Sequence, residues 1–259
     1  MNVINFVSKI LREFIRYVIN EAAITATDAA KEDLCLHIAR NYGAQGPVSM
    51  ILWDANALVR VSDEYLKLSI DAKIDDLIAV LEDDPSKWII GYIEITNNPQ
   101  EKGGEAWGSW EVVASAARKG YGPFLYDLAM SYVGALIPDR HIVSTKAQAI
   151  WNYYRKRSDI TTKPLDNVKN PKTPPKEDDA YVYNTPEKLG LNYAYSTESP
   201  INVAQFTNNS PKKVMQAAKE IQQFLGKNSV PVDLIARSLF ESIRNAGVDF
   251  FYYKYKGVD

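Results

Sequence analysis

The chain has 259 residues, 46% of them hydrophobic and 24% charged, with 30 Lys and Arg against 32 Asp and Glu and a formal net charge of −2. That composition suits an ordinary globular core and excludes a disordered, collagen-like or membrane-spanning chain. A lone cysteine, Cys35, excludes an internal disulfide framework, and with only His37 and His141 no cysteine- or histidine-based metal cluster is expected. The near-neutral total hides segregation: residues 54–84 hold nine acids and three bases, and residues 140–176 hold nine bases and two acids. The basic segment offers a surface to a polyanion such as DNA. The plainer reading is two solvated faces that attract one another.

In residues 3–18, VINFVSKILREFIRYV, the apolar positions Ile4, Val7, Leu11, Phe14 or Ile15, and Val18 recur at helical spacing, forming one stripe. Lys9, Arg12, Glu13 and Arg16 interrupt it, so this helix is expected neither to span a bilayer nor to form the apolar core of a secretory signal. Ile19-Asn20-Glu21 and then Ala22 follow. A short amphipathic helix ending in Ile-x-Glu before a small residue resembles the capsid-targeting sequences of internal head proteins in T-even-like tailed phages, which a maturation protease cuts after the glutamate. The resemblance implies cleavage between Glu21 and Ala22, a phage capsid scaffold or core as partner, and a place in the host cytoplasm or the virion head. The residues by themselves fit an ordinary first helix equally well.

From about residue 48 strand-like and helix-like stretches alternate. Residues 49–53 and 57–61 read as two short strands or a hairpin around Asp54-Ala55-Asn56. Ile74, Leu77, Ile78 and Leu81 have helical spacing, and Asp83-Asp84-Pro85 ends that helix. Residues 88–95 and 110–116 are strands, separated by a loop through Asn97-Asn98-Pro99 and Gly103-Gly104. This order predicts an α/β (α+β) protein with a mixed central sheet flanked by helices.

Ala116-Ala117-Arg118-Lys119-Gly120-Tyr121-Gly122-Pro123 then carries a strand into a glycine turn and a helix opened by Pro123, a favoured first position. Leu125, Leu128, Ala129 and Tyr132 are expected to face the sheet. A helix start exposes unpaired backbone N–H groups, and Arg118 and Lys119 stand beside it, so the turn is suited to a phosphate. Glycines at 120 and 122 let the backbone approach a ligand closely. A merely tight strand–helix turn has the same local pattern.

This strand–turn–helix resembles motif A of the GNAT acyltransferases, whose Gln/Arg-x-x-Gly-x-Gly/Ala loop holds the pyrophosphate of acetyl-CoA. Gly120-Tyr121-Gly122 matches the glycine part; the leading Gln/Arg position falls on Ala117, with Arg118 one residue late. Downstream, residues 135–138 read as a strand shortened by Pro138. Thr145-x-x-Gln148 reads as a capping box for a helix whose Ala147, Ile150, Trp151 and Tyr154 share one face. The resemblance places a tyrosine that acts as general acid toward the departing thiolate at Tyr154, with Lys156 matching the family's lysine and Ser158-Asp159 replacing its Gly-Phe. Adjacent Tyr153 is the substitute, and a core tyrosine is the alternative. The resemblance also calls for a base, met by Glu111 on the strand into the turn or by Glu94 on its neighbour; Glu111 is nearer the turn. An outward-facing glutamate explains either residue as well.

Residues 158–200 are rich in Pro, Lys, Asp and Asn and read as a long irregular connection. Ser210-Pro211 begins a helix through Leu225, closed by Gly226; Pro231 begins another that ends at Gly247, and Phe250 to Tyr255 has the composition of a terminal strand. The expected organisation is an amphipathic helix over 1–21, a GNAT-like domain over 22–165, an irregular connection over 166–209 and an extension of two helices and an aromatic strand over 210–259. Two functions remain open. One is acyl transfer from acetyl-CoA or a related acyl-CoA, with Arg118, Lys119, Gly120, Tyr121 and Gly122 at the cofactor, Tyr154 and Glu111 catalytic and DNA among the possible acceptors. The other is a non-catalytic virion protein that retains the fold.

Overall fold

Short apolar runs rich in β-branched and aromatic residues pair into strands because the pleated backbone accommodates their side chains on both faces. In the computed structural model the described residues are 24, 28, 32–40, 46–68, 73–97, 108–139, 143–165, 189–226 and 230–256. The chain runs β1 (Leu34–Arg40), β2 (Val48–Asp54), α1 (Ala55–Leu68), α2 (Ile74–Asp83), a 3-10 turn (Pro85–Lys87), β3 (Ile89–Thr96), β4 (Trp110–Ala117) and α3 (Gly122–Val133). It continues through β5 (Leu136–Pro138), α4 (Thr145–Tyr154), β6 (Ile160–Pro164), a 3-10 turn (Leu189–Asn192), β7 (Tyr193–Thr197), α5 (Val203–Thr207), α6 (Asn209–Leu225) and α7 (Val232–Lys256).

The seven strands form one mixed sheet in the order β1-β2-β3-β4-β5-β7-β6. Every neighbouring pair is antiparallel except β4 with β5, which are parallel. Alternation along the strands divides the core in two. Met50 and Leu52 of β2 pack with Phe124, Leu128, Trp151 and Phe206 from α3, α4 and α5. Ile51 and Trp53 point the other way, onto Leu58, Leu77, Val214 and Leu239 from α1, α2, α6 and α7. The sheet is therefore covered on both faces, which is why its central strands read as nearly continuous hydrophobic runs.

Several expectations change. Residues 57–61 are helix, not strand, because Asp54 ends β2 as a cap: its Oδ1 accepts from the amides of Asn56 at 2.9 Å and Ala57 at 3.0 Å. The cap of α4 is Ser144, one residue before the expected Thr145; its Oγ accepts from Ala147 N at 3.2 Å, while Gln148 Nε2 donates to the Val143 carbonyl. Tyr132 is 40% exposed, whereas Phe124, Leu125, Leu128 and Ala129 face the sheet. The stretch over 158–200 contains β6 and β7, and its residues 166–188 lie outside the described residues. The expected helix end at Gly247 and the terminal strand beyond it are one continuous helix, α7. Phe250 is fully buried and Phe251 packs its ring 5.8 Å from that of Tyr92. The segment expected as an extension thus forms, with α1 and α2, the cover of one face of the sheet.

Candidate functional site

The strongest sequence feature survives as a local structure. β4 ends at Ala117, Gly120 takes φ +87°, a left-handed conformation natural to glycine, and α3 opens at Gly122-Pro123 with Tyr121 as its cap residue. No side chain caps this helix start. Tyr121 N bonds back to the Arg118 carbonyl at 3.0 Å, which closes the turn. A Cβ on Gly122 would stand 3.3 Å from Ile150 Cδ1, so the turn lies close against α4 and a side chain there would have to displace the tip of Ile150.

β4 and β5 make the turn more than a tight connection. They pair in parallel over three positions only, Trp110 with Leu136, Glu111 with Ile137 and Val112 with Pro138. β4 then shifts register against β3, with Glu94 opposite Ala114 and Ile95 opposite Val112, so Val113 bulges. Among the described residues β4 has no strand partner on the β5 side from Val113 to Ala117. Five residues at about 3.3 Å each leave an unpaired β4 edge, termed the slot below, on the order of 17 Å long, running from the last pair at Val112 to the glycine turn.

The expected residues fall unevenly around this slot. Lys119 is exposed on the turn. Arg118 points elsewhere: its Nη2 donates to the Ser86 carbonyl at 2.6 Å and its backbone N to the Ile90 carbonyl at 2.8 Å, tying the end of β4 to the 3-10 turn. Burial holds the Arg118 guanidinium below its ordinary value, against the pull of Asp54. Glu111 is buried at 5% exposure, beside the last β4–β5 pair, between Thr96 and Ile137. Glu94 is committed on β3, accepting from the Tyr92 hydroxyl at 2.7 Å and Ser49 Oγ at 3.3 Å.

Tyr154 is fully buried. Its hydroxyl lies 2.6 Å from the Pro123 carbonyl and 2.7 Å from Asp127 Oδ1, and its one proton serves one of them at a time. Arg157 Nη1 grips both oxygens of Asp127 at 2.8 and 2.9 Å, while its Nε and Nη2 hold Asp159 at 2.9 and 2.5 Å. Burial first, then the Asp127 charge, pushes the Tyr154 phenol well above its ordinary value. Burial also raises the Asp127 carboxyl, opposed by Arg157 and the phenol. Tyr154 therefore sits at the first turn of α3 and Glu111 at the far end of β4; the structure does not bring the two together. Tyr153, the substitute, is 43% exposed.

Two contacts at the turn had no sequence signal. Ile24 N donates to the Gly120 carbonyl at 3.1 Å, and the Tyr121 hydroxyl donates to a Glu32 carboxylate oxygen. Burial and that carboxylate push the Tyr121 phenol up to about 12. Of the basic segment's described members, Lys146, Arg155, Lys156 and Lys163 are exposed, and Arg157 is spent on its two carboxylates. Cys35 is buried, and that burial pushes its thiol up to about 12, which leaves it a poor nucleophile. Glu21 and Ala22 lie outside the described residues. No helix among the described residues is long and apolar enough to cross a membrane. No protein-family model, curated protein or solved structure matches the chain.

Proposed function

We propose that the protein is a GNAT-like acyltransferase that takes an acyl group from acetyl-CoA or a related acyl-CoA. The observation that carries this reading is the half-open β4–β5 pair running into an uncapped, glycine-led helix start. An extended ligand bearing amides can add to the β4 edge from Val113 to Ala117 as a short strand, and its phosphates then meet the amides at the start of α3 and the ammonium of Lys119. The residues fit such a group: Gly120 and Gly122 keep side chains off the turn, and the slot beside β4 leads to Glu111. The bound cofactor supplies an activated thioester. In this reading Glu111, buried beside the last β4–β5 pair, takes a proton from the attacking amine. Proton delivery by Tyr154 requires its hydroxyl to leave Asp127 and Pro123.

The engaged Tyr154 and the diverted Arg118 favour a second reading, a virion protein that keeps this scaffold without catalysis. Within either reading, Glu21-Ala22 is the maturation cleavage site and the phage head the destination; the intact mass of the protein from purified particles tests this by the loss of residues 1–21. DNA bound through the exposed bases of residues 140–176 is expected to dissociate as salt rises. For the cofactor, isothermal titration with acetyl-CoA is expected to show saturable binding, weakened roughly tenfold by Lys119→Glu, which exchanges an attractive for a repulsive charge beside the phosphates. No heat at millimolar acetyl-CoA would overturn the enzyme reading and leave the second one standing.

A further inference from the structure

Away from the slot, a groove of about 600 Å³ runs between the edge strand β1 and helix α7. Its walls include His37, Ile38 and Ala39 of β1, Met215 of α6, and Ala236 and Phe240 of α7. Its rim carries Asp233, Arg237, Glu241 and Arg244, all exposed and alternating in sign along α7. Such a series commonly satisfies itself through pairs four residues apart within one helix. Here, among the described residues, Asp233, Arg237 and Glu241 enter no ion pair.

The geometry points to a second copy of this chain as the occupant, docked α7 against α7 about a two-fold axis centred beside Ser238 and Leu239. Reversing the helix about that centre sets Arg237 opposite Glu241 of the other copy and Asp233 opposite Arg244. The same operation sets Phe240 opposite Ala236, a large side chain against a small one. All three pairings share one centre to within a residue. An isologous interface demands that self-complementarity, because each residue must find its match on an identical surface. The apolar walls between the charged rims match the anatomy of such contacts. β1 pairs only with β2 among the described residues, and a partner helix over His37–Ala39 covers the sheet edge that would otherwise invite uncontrolled strand pairing.

Sedimentation velocity of the full chain at tens of micromolar tests the pairing. The expected mass is twice the 29.1 kDa of the chain. Arg237→Glu sets like charges opposite one another and is expected to give the monomer mass, as is Glu241→Arg. The double exchange Arg237→Glu with Glu241→Arg restores the charge match across the axis and is expected to restore the dimer. Arg237 and Glu241 are also four residues apart in one helix, so each single exchange is expected to keep the parent's helical circular dichroism while losing the dimer mass; a parallel loss of helix would overturn the assignment to the interface. A monomeric parent protein overturns the inference and leaves the groove to a small ligand or peptide. A dimer that survives either single exchange also overturns it, since the copies then meet elsewhere.

Discussion

The Tyr154 hydroxyl couples two helices: it reaches the Pro123 carbonyl and the Asp127 carboxylate of α3 from the last residue of α4, and Arg157 completes the set. A partly buried carboxylate held by a phenol and a guanidinium depends on both partners, because losing either leaves a partly desolvated charge with less compensation. Tyr154→Phe is therefore expected to lower stability by about 1–3 kcal/mol, read from urea denaturation. An unchanged midpoint would show that the hydroxyl holds nothing together. The helical phase of Tyr154 was legible from its spacing with Ala147, Ile150 and Trp151. Its partner was not, because Asp127 comes within reach only once α3 and α4 pack. Arg118 makes the same point: its position beside the turn is sequence information, whereas its direction depends on the Ser86 carbonyl 32 residues away in the chain.

At the scale of elements, β2 and β3 are legible because both faces of each strand are buried, β4 because its Val-Val and small residues form a short apolar run, and the glycine turn because a left-handed φ and a proline-led helix need particular residues. α7 departs from its expected ends for an equally physical reason. Gly247 with Phe250-Phe251-Tyr252-Tyr253 soon after it looks like a helix end and a strand, yet a Cβ on Gly247 would lie 2.6 Å from Ile51 Cγ1. The glycine is there so that α7 can lie down on β2. Helix propensity alone predicts that Gly247→Ala stabilises by about 1 kcal/mol. The clash reverses the sign, and a loss of about 1–3 kcal/mol is expected, typical of an overpacked core. Thermal unfolding decides the sign, and Ile51→Val in the same chain is expected to recover part of the loss. β1 has little sequence signal because His37 and Arg40 dilute a short run whose burial is set by α5 and α6 lying across it.

Across the whole molecule, the near-neutral charge conceals a particular pH response. Burial, and then Arg244, hold the His37 imidazole below its ordinary 6.5, in a groove it shares with Arg237, Asp233 and Glu241 of α7. The unfolded chain then binds this proton more readily than the folded one. The resulting stability is present above about 6.5 and is lost as pH falls through the lower, folded value. His37→Asn is expected to flatten that part of the stability curve, measured by urea denaturation across mildly acidic pH; an identical slope in the two proteins would remove His37 as the source. The segregated charges do not amount to one basic face: Arg157 is internal to the α3–α4 contact, and Arg118 lies among Asp54, Asp84 and Arg60.

The most direct test of acyl-CoA binding is residue-resolved: backbone amide NMR of the full chain titrated with acetyl-CoA. The expected result is saturable shifts at Lys119, Gly120, Tyr121, Gly122 and Phe124 together with Val113 to Ala117 along β4, and no comparable change along the exposed face of α7. Shifts confined to other surfaces, or none at millimolar ligand, would contradict the assignment of this slot to an acyl-CoA.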